Sequence, residues 1–102
     1  MSTCIPGGWT EWRITDDDVK KICELVKPEA EEREKTKFTV YVPLNYRSQV
    51  VAGINYEMKV FVGNDSCNDL CLLLRVFQGL GPDPELVLQK TTLVPLPSII
   101  TH

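Results

Sequence analysis

Four cysteines and one histidine are the residues of this chain best suited to covalent chemistry, and their placement argues against it. A thiol nucleophile needs a base within hydrogen-bond reach that is itself held by a further group. The only histidine, His102, stands at the far end of the sequence from that kind of support. Enzymatic activity is therefore not expected. Cys67 and Cys71 enclose Asn68-Asp69-Leu70, and two thiols at this spacing with no histidine nearby leave a zinc site short of ligands. No metal and no cofactor is expected, and Cys67 and Cys71 read as surface thiols. Cys4 lies in an N-terminal arm, where oxidation could join two molecules.

What remains is the chemistry of recognition, and it concentrates in Gln49-Val50-Val51-Ala52-Gly53. A hairpin tip that projects into water gains nothing from Val-Val-Ala, and tips more often carry Asn, Asp or Lys beside Gly. Small uncharged side chains at such a place suit burial by a partner.

The flanking sequence supplies the hairpin. Phe38, Val40, Val42, Leu44 and Tyr46 alternate with Thr39, Tyr41, Pro43 and Asn45, the period of a strand. Ile54, Tyr56, Met58, Val60 and Val62 repeat the pattern, so the two runs can pair antiparallel around the tip. Gly63-Asn64-Asp65-Ser66 signals a turn, Leu72, Leu74 and Val76 a third strand, and the Gly79 to Pro84 segment a second loop. Leu86-Val87-Leu88 opens a fourth strand, and Trp12-Arg13-Ile14 can add a fifth. Trp9 and Trp12 are expected to cover the edge or core of the sheet. Upstream, Val19, Ile22, Cys23, Val26 and Ala30 fall on one helical face, with Thr15 as N-cap and Asp16, Asp17 and Asp18 in the first turn. Pro28 removes one hydrogen bond and crowds the preceding turn, which predicts a kink near Glu24 within a single helix.

One helix followed by antiparallel strands is an α+β arrangement, the apolar stripe of the helix lying across a twisted sheet of four to five strands. The 102 residues suffice for one domain, with residues 1–10 as a flexible arm and 95–102 as an irregular tail. A net charge of −3 offers no basic field for nucleic acid or anionic lipid. The start, Met1-Ser2-Thr3-Cys4, lacks the basic and apolar regions of a secretory signal, and no run approaches about 18 apolar residues. A cytoplasmic protein with reduced thiols is expected, bound neither to membrane nor to nucleic acid.

Four segments in order carry a more specific likeness: Ile5-Pro6-Gly7-Gly8, Val26-Lys27-Pro28, Ser48-Gln49-Val50-Val51-Ala52-Gly53 with Asn55-Tyr56, and Leu74-Arg75-Val76-Phe77-Gln78. With these the chain resembles a stefin, the single-domain, disulfide-free branch of the cystatin superfamily, from about Ile5 to about Leu88. The resemblance implies a cystatin-like fold and tight, reversible, non-covalent inhibition of papain-like cysteine proteases of the cathepsin type. It further implies that Ile5, Pro6, Gly7 and Gly8 lie on the acyl side of the protease cleft. Gln49, Val50, Val51, Ala52 and Gly53 would sit over the catalytic pair, and Leu80, Gly81 and Pro82 on the leaving-group side. Two features depart from the family pattern: Leu80-Gly81-Pro82 stands where Leu-Pro is usual, and the turn from Gly63 to Leu72 is long. If either blocked docking, the alternative would be a stefin-fold interaction module that inhibits nothing. A monomer is expected, with domain-swapped or Cys4-linked dimers as its variants.

Overall fold

The computed structural model describes residues 8–65 and 69–95. Its elements run β1 (Arg13–Ile14), α1 (Asp17–Glu34), β2 (Val40–Val51), β3 (Gly53–Gly63), β4 (Leu70–Gln78) and β5 (Leu86–Pro95). The strands form one antiparallel sheet in sequence order, β1-β2-β3-β4-β5. The α+β expectation of one helix on a sheet of up to five strands is met.

The helical face read from spacing is the one buried: Val19, Ile22, Cys23, Val26 and Ala30 pack with Met58, Val60, Val62, Leu72, Leu74, Val76 and Leu88. Together these make the single core between helix and sheet. α1 is one element and runs through Pro28. Its N-cap is Asp16, not Thr15: the Asp16 carboxylate accepts from the Val19 amide at 2.9 Å. Thr15 is buried, its amide donating to the Leu44 carbonyl and its hydroxyl to that of Pro43, so it fastens the start of the helix to β2. A carboxylate one residue later does the capping better, since it also complements the positive helix end. The C-terminus closes on Lys35 at φ 56°, whose amide bonds back to the carbonyls of Glu31 and Glu32.

Strand alternation holds, but the facing of β2 differs from a simple apolar-in pattern. Tyr41 and Pro43 pair with the buried Val62 and Val60, so they face the helix, while Val40, Val42 and Leu44 are exposed. A register shift between Pro43 and Asn45 then flips the phase, and Tyr46 arrives on the helix side opposite Met58. Tyr41 holds that side by donating its hydroxyl to the Cys23 carbonyl at 2.7 Å. The same burial pushes its own ionisation well above the usual tyrosine range. β5 reaches Pro95, so ordered strand extends to the residue where the irregular tail was expected to start, and residues 96–102 lie outside the described part.

Candidate functional site

The hairpin between β2 and β3 is closed to its tip. Val50 pairs with Ile54 and Val51 with Gly53, leaving Ala52 alone at the bend. Val50 is 59% and Val51 43% exposed, and Ala52 is exposed too. The apolar side chains singled out from sequence are therefore presented, not covered by the chain itself. Just behind them Asn55 donates its side-chain amide to Gln49 at 2.9 Å, across a register pair on the sheet face away from the helix. Gly53 takes φ 127°, and a β-carbon there would come within 2.6 Å of both the Gln78 carbonyl and the Phe77 ring. Only glycine lets β4 pass this close beneath the tip.

The second loop joins β4 to β5 and springs from the same end. Gln78, the last residue of β4, lies between Ile54 of β3 and Leu86 of β5. The Gly79 amide donates to the Glu85 carbonyl at 2.9 Å and pinches the loop at its base. Beyond that pinch Leu80 is 77% exposed, with Gly81 and Pro82 also exposed. Gly81 has φ 112°, and a β-carbon at this position would meet nothing within 4 Å, so its glycine serves the backbone turn alone.

The chain reaches this end a third time before β1. Trp9 forms an antiparallel bridge with Gln49, the Thr10 amide donates to the Ser48 carbonyl at 2.8 Å, and the Ser48 amide donates to the Thr10 hydroxyl at 3.0 Å. Arg13 and Ile14 continue the same lane opposite Tyr46 and Asn45. Running antiparallel to β2, this segment brings the exposed Gly8 beside the hairpin tip. Trp9 and Thr10 are thus fastened to the sheet, and the arm's described residues beyond them come down to Gly8. Ile5, Pro6 and Gly7 lie outside the described residues.

Strand order converts these facts into a row: the arm's exit in the β1 lane, the tip between β2 and β3, the second loop between β4 and β5. With strands about 4.8 Å apart, the row spans roughly 17 Å along one end of the sheet. The connection from Gly63 to Leu70 leaves the opposite end, because Gly63 pairs with Val40 and Val62 with Leu70. The length of β3, Gly53–Gly63, separates the two ends, about 33 Å at strand rise.

The outer face beneath the arm carries a charged lattice that sequence spacing alone does not reveal. Arg47, Glu57 and Arg75 face one another on β2, β3 and β4. Glu57 accepts from Arg47 at 2.6 and 2.7 Å and lies 3.3 Å from Arg75. Trp9 lies over both guanidiniums, at 4.9 Å from Arg47 and 5.1 Å from Arg75, and Trp12 meets Arg47 and Lys59. Asn55 and Phe77 belong to the site as supports of the tip. Pairing the two strands about Ala52 places Asn55 opposite Gln49, a signal the sequence contained. Phe77 required the β3 to β4 register.

The two described thiols, Cys23 and Cys71, lie apart from the tip and the second loop. Cys23 is fully buried with its Sγ 3.2 Å from the Met58 sulfur, and burial pushes it up to about 12. Cys71 is also buried, not a surface thiol as expected: it lies within β4, flanked in register by Phe61 of β3 and Val94 of β5. Burial raises its ionisation despite the nearby Lys59. Cys67 lies outside the described residues, as does Cys4, on which the linked dimer was expected to depend. Among the described residues no cluster of potential metal ligands exists, and no helix is long and apolar enough to cross a membrane.

Comparison with known proteins agrees with this geometry. The cystatin domain family matches residues 7–83, a span from the arm to the second loop. Cystatin-A of Bos taurus is 39% identical over 76 residues, 74% of each chain. Leukocyte cysteine proteinase inhibitor 1 of Sus scrofa is 40% identical over 76 residues, 74% of this chain and 70% of its own. Stefin-C of Bos taurus is 38% identical over 74 residues, 72% of this chain and 69% of its own. A family match across the helix, the hairpin and both flanking protrusions, joined to relatives of similar length, means that the chain belongs to the cystatin family, in its stefin branch.

Proposed function

We propose that this protein is a reversible, tight-binding inhibitor of papain-like cysteine proteases of the cathepsin type, acting as a plug and not as an enzyme. The observation that carries the reading is the row itself: the exposed apolar tip at Val50 to Ala52 and the exposed Leu80 to Pro82 loop, with the arm's root at Gly8 beside them, on one end of a hydrogen-bonded sheet. A long cleft is filled by such a row. The residues from Ile5 to Gly8 would occupy the acyl side, Gln49 to Gly53 the region over the catalytic thiol and imidazole, and Leu80 to Pro82 the leaving-group side. Val50, Val51 and Ala52 would exclude water from the catalytic pair without offering a peptide bond for attack, so no covalent step is needed. A hairpin paired up to Val51 and Gly53 is ordered in advance, which removes much of the entropic cost of docking. A footprint near the usual total of about 1,600 Å² then suits nanomolar affinity.

The long turn beyond Gly63 supports no alternative, since its anchors lie at the far end of the sheet. The altered second loop keeps an exposed leucine at its crest. The tip, the second loop and the arm's root at Trp9 belong to one sheet, so a monomer suffices. The stefin likeness favours the cytoplasm as the compartment, in keeping with free thiols at Cys23 and Cys71.

The test is titration of papain with the folded protein. Reversible inhibition at nanomolar concentration is expected, with full recovery of protease activity on dilution. Absence of inhibition at micromolar concentration would leave the stefin-fold interaction module as the better reading.

A further inference from the structure

The charged lattice on the outer face has a definite geometric relation to the arm. Among the described residues Trp9 is the first one bridged to the sheet, and the two residues that precede it in sequence, Gly7 and Gly8, are of the most permissive backbone type. On the backbone side, Trp9 is joined to β2 through a single bridge. Its indole, by contrast, spans two strands: it lies over Arg47 of β2 and Arg75 of β4, and Glu57 of β3 ties those two guanidiniums together. Such stacking draws each cation onto the ring face, and Glu57 fixes both cations in place at once. The Nε of Arg75 is buried without a hydrogen-bond partner, so this side chain is set by Glu57 and by the indole face.

We propose that Trp9 is a positioning residue for inhibition: clamped by Arg47 and Arg75, it fixes where the N-terminal arm leaves the sheet beside the Gln49 to Gly53 tip. The inference rests on the inhibitory reading and deepens it. Without the clamp, the point at which the chain leaves the sheet moves toward Thr10, whose amide holds the Ser48 carbonyl, and Trp9 is less closely held beside the tip. The loss falls on the residence time of the complex, since contacts made by a docked segment act chiefly on dissociation.

A double-mutant cycle on papain dissociation tests it, using the full chain, Trp9→Ala, deletion of residues 1–7, and the two changes together. The deletion alone is expected to speed dissociation strongly. Trp9→Ala should speed it about tenfold in the full chain and less than about twofold in the deleted one, because a positioning residue has no effect once the positioned segment is gone. Trp9→Phe, which keeps an aromatic face, should restore most of the residence time. Arg75→Met, which leaves Trp9 in place and removes one jaw of the clamp, should repeat the arm-dependent loss with an unchanged thermal midpoint. Equal acceleration by Trp9→Ala in both backgrounds would overturn the clamp and leave the inhibitory reading standing. If the deletion itself left dissociation unchanged, the arm would be outside the site and the clamp would fall with it. If none of the four proteins inhibited papain, the inhibitory reading itself would fail.

Discussion

At Gly53 the sheet leaves no room for a β-carbon, which would lie 2.6 Å from the Gln78 carbonyl of β4, and the backbone sits at positive φ. Gly53→Ala must therefore push Phe77 aside, lift the tip, or both. The expected result is a loss of roughly 1–3 kcal/mol in unfolding stability, together with weaker protease inhibition, read by denaturant melts and inhibition constants on the same preparation. Inhibition unchanged in the destabilised protein would mean that the tip's height above β4 is immaterial. Cys23 offers a second test at this scale. Its folded value of about 12 lies above the ordinary 9.0, so the thiol loses its proton more easily in the unfolded chain. Its contribution to stability is complete below pH 9 and disappears as pH rises from about 9 to about 12. Replacement by Ala should flatten that alkaline decline in a series of melts, and native Cys23 should resist alkylation until the protein unfolds.

The elements were legible to different degrees, and the reasons are local. Helix α1 could be read because five buried positions share one period, and β3 and β4 because their pairing runs without a register shift, so Met58, Val60 and Val62 and Leu72, Leu74 and Val76 keep one face. β2 was harder. Its apolar run continues past Pro43, but the register shift there exchanges the two faces, so Tyr41 and Tyr46 both reach the core while Val42 and Leu44 do not. No composition rule announces such a bulge. The helix start moved by one residue because Thr15 found better partners in the Pro43 and Leu44 carbonyls than in its own helix. Cys71, set apart by its turn-like neighbourhood, belongs to β4 and is buried there. The helix end carries a prediction. Lys35 holds a left-handed conformation that glycine adopts without strain, so Lys35→Gly should raise stability by about 1 kcal/mol. A fall in the thermal midpoint would show that the Lys35 side chain has a compensating role.

For the molecule as a whole, the sequence announced the tip and the second loop as apolar segments, yet their alignment is a property of topology. A meander in the order β1-β2-β3-β4-β5 sends every second connection to the same end. The hairpin and the second loop are such connections, and the arm joins them through the Trp9 bridge. That arrangement also sets Gly63 and Leu70, the anchors of the long connection, at the other end of the sheet, about 33 Å away by strand rise. The supports of the row, Asn55, Phe77 and the Arg47-Glu57-Arg75 lattice, emerge only once the strands are paired. The most direct measurement is a crystal structure of the complex with papain. The account predicts Val50 to Ala52 above the catalytic cysteine, Leu80 to Pro82 and the segment before Trp9 on either side, and the Gly63 to Leu70 connection free of the enzyme. A protease seated on the opposite end of the sheet, or one that engages a single protrusion while the other two point into solvent, would contradict it.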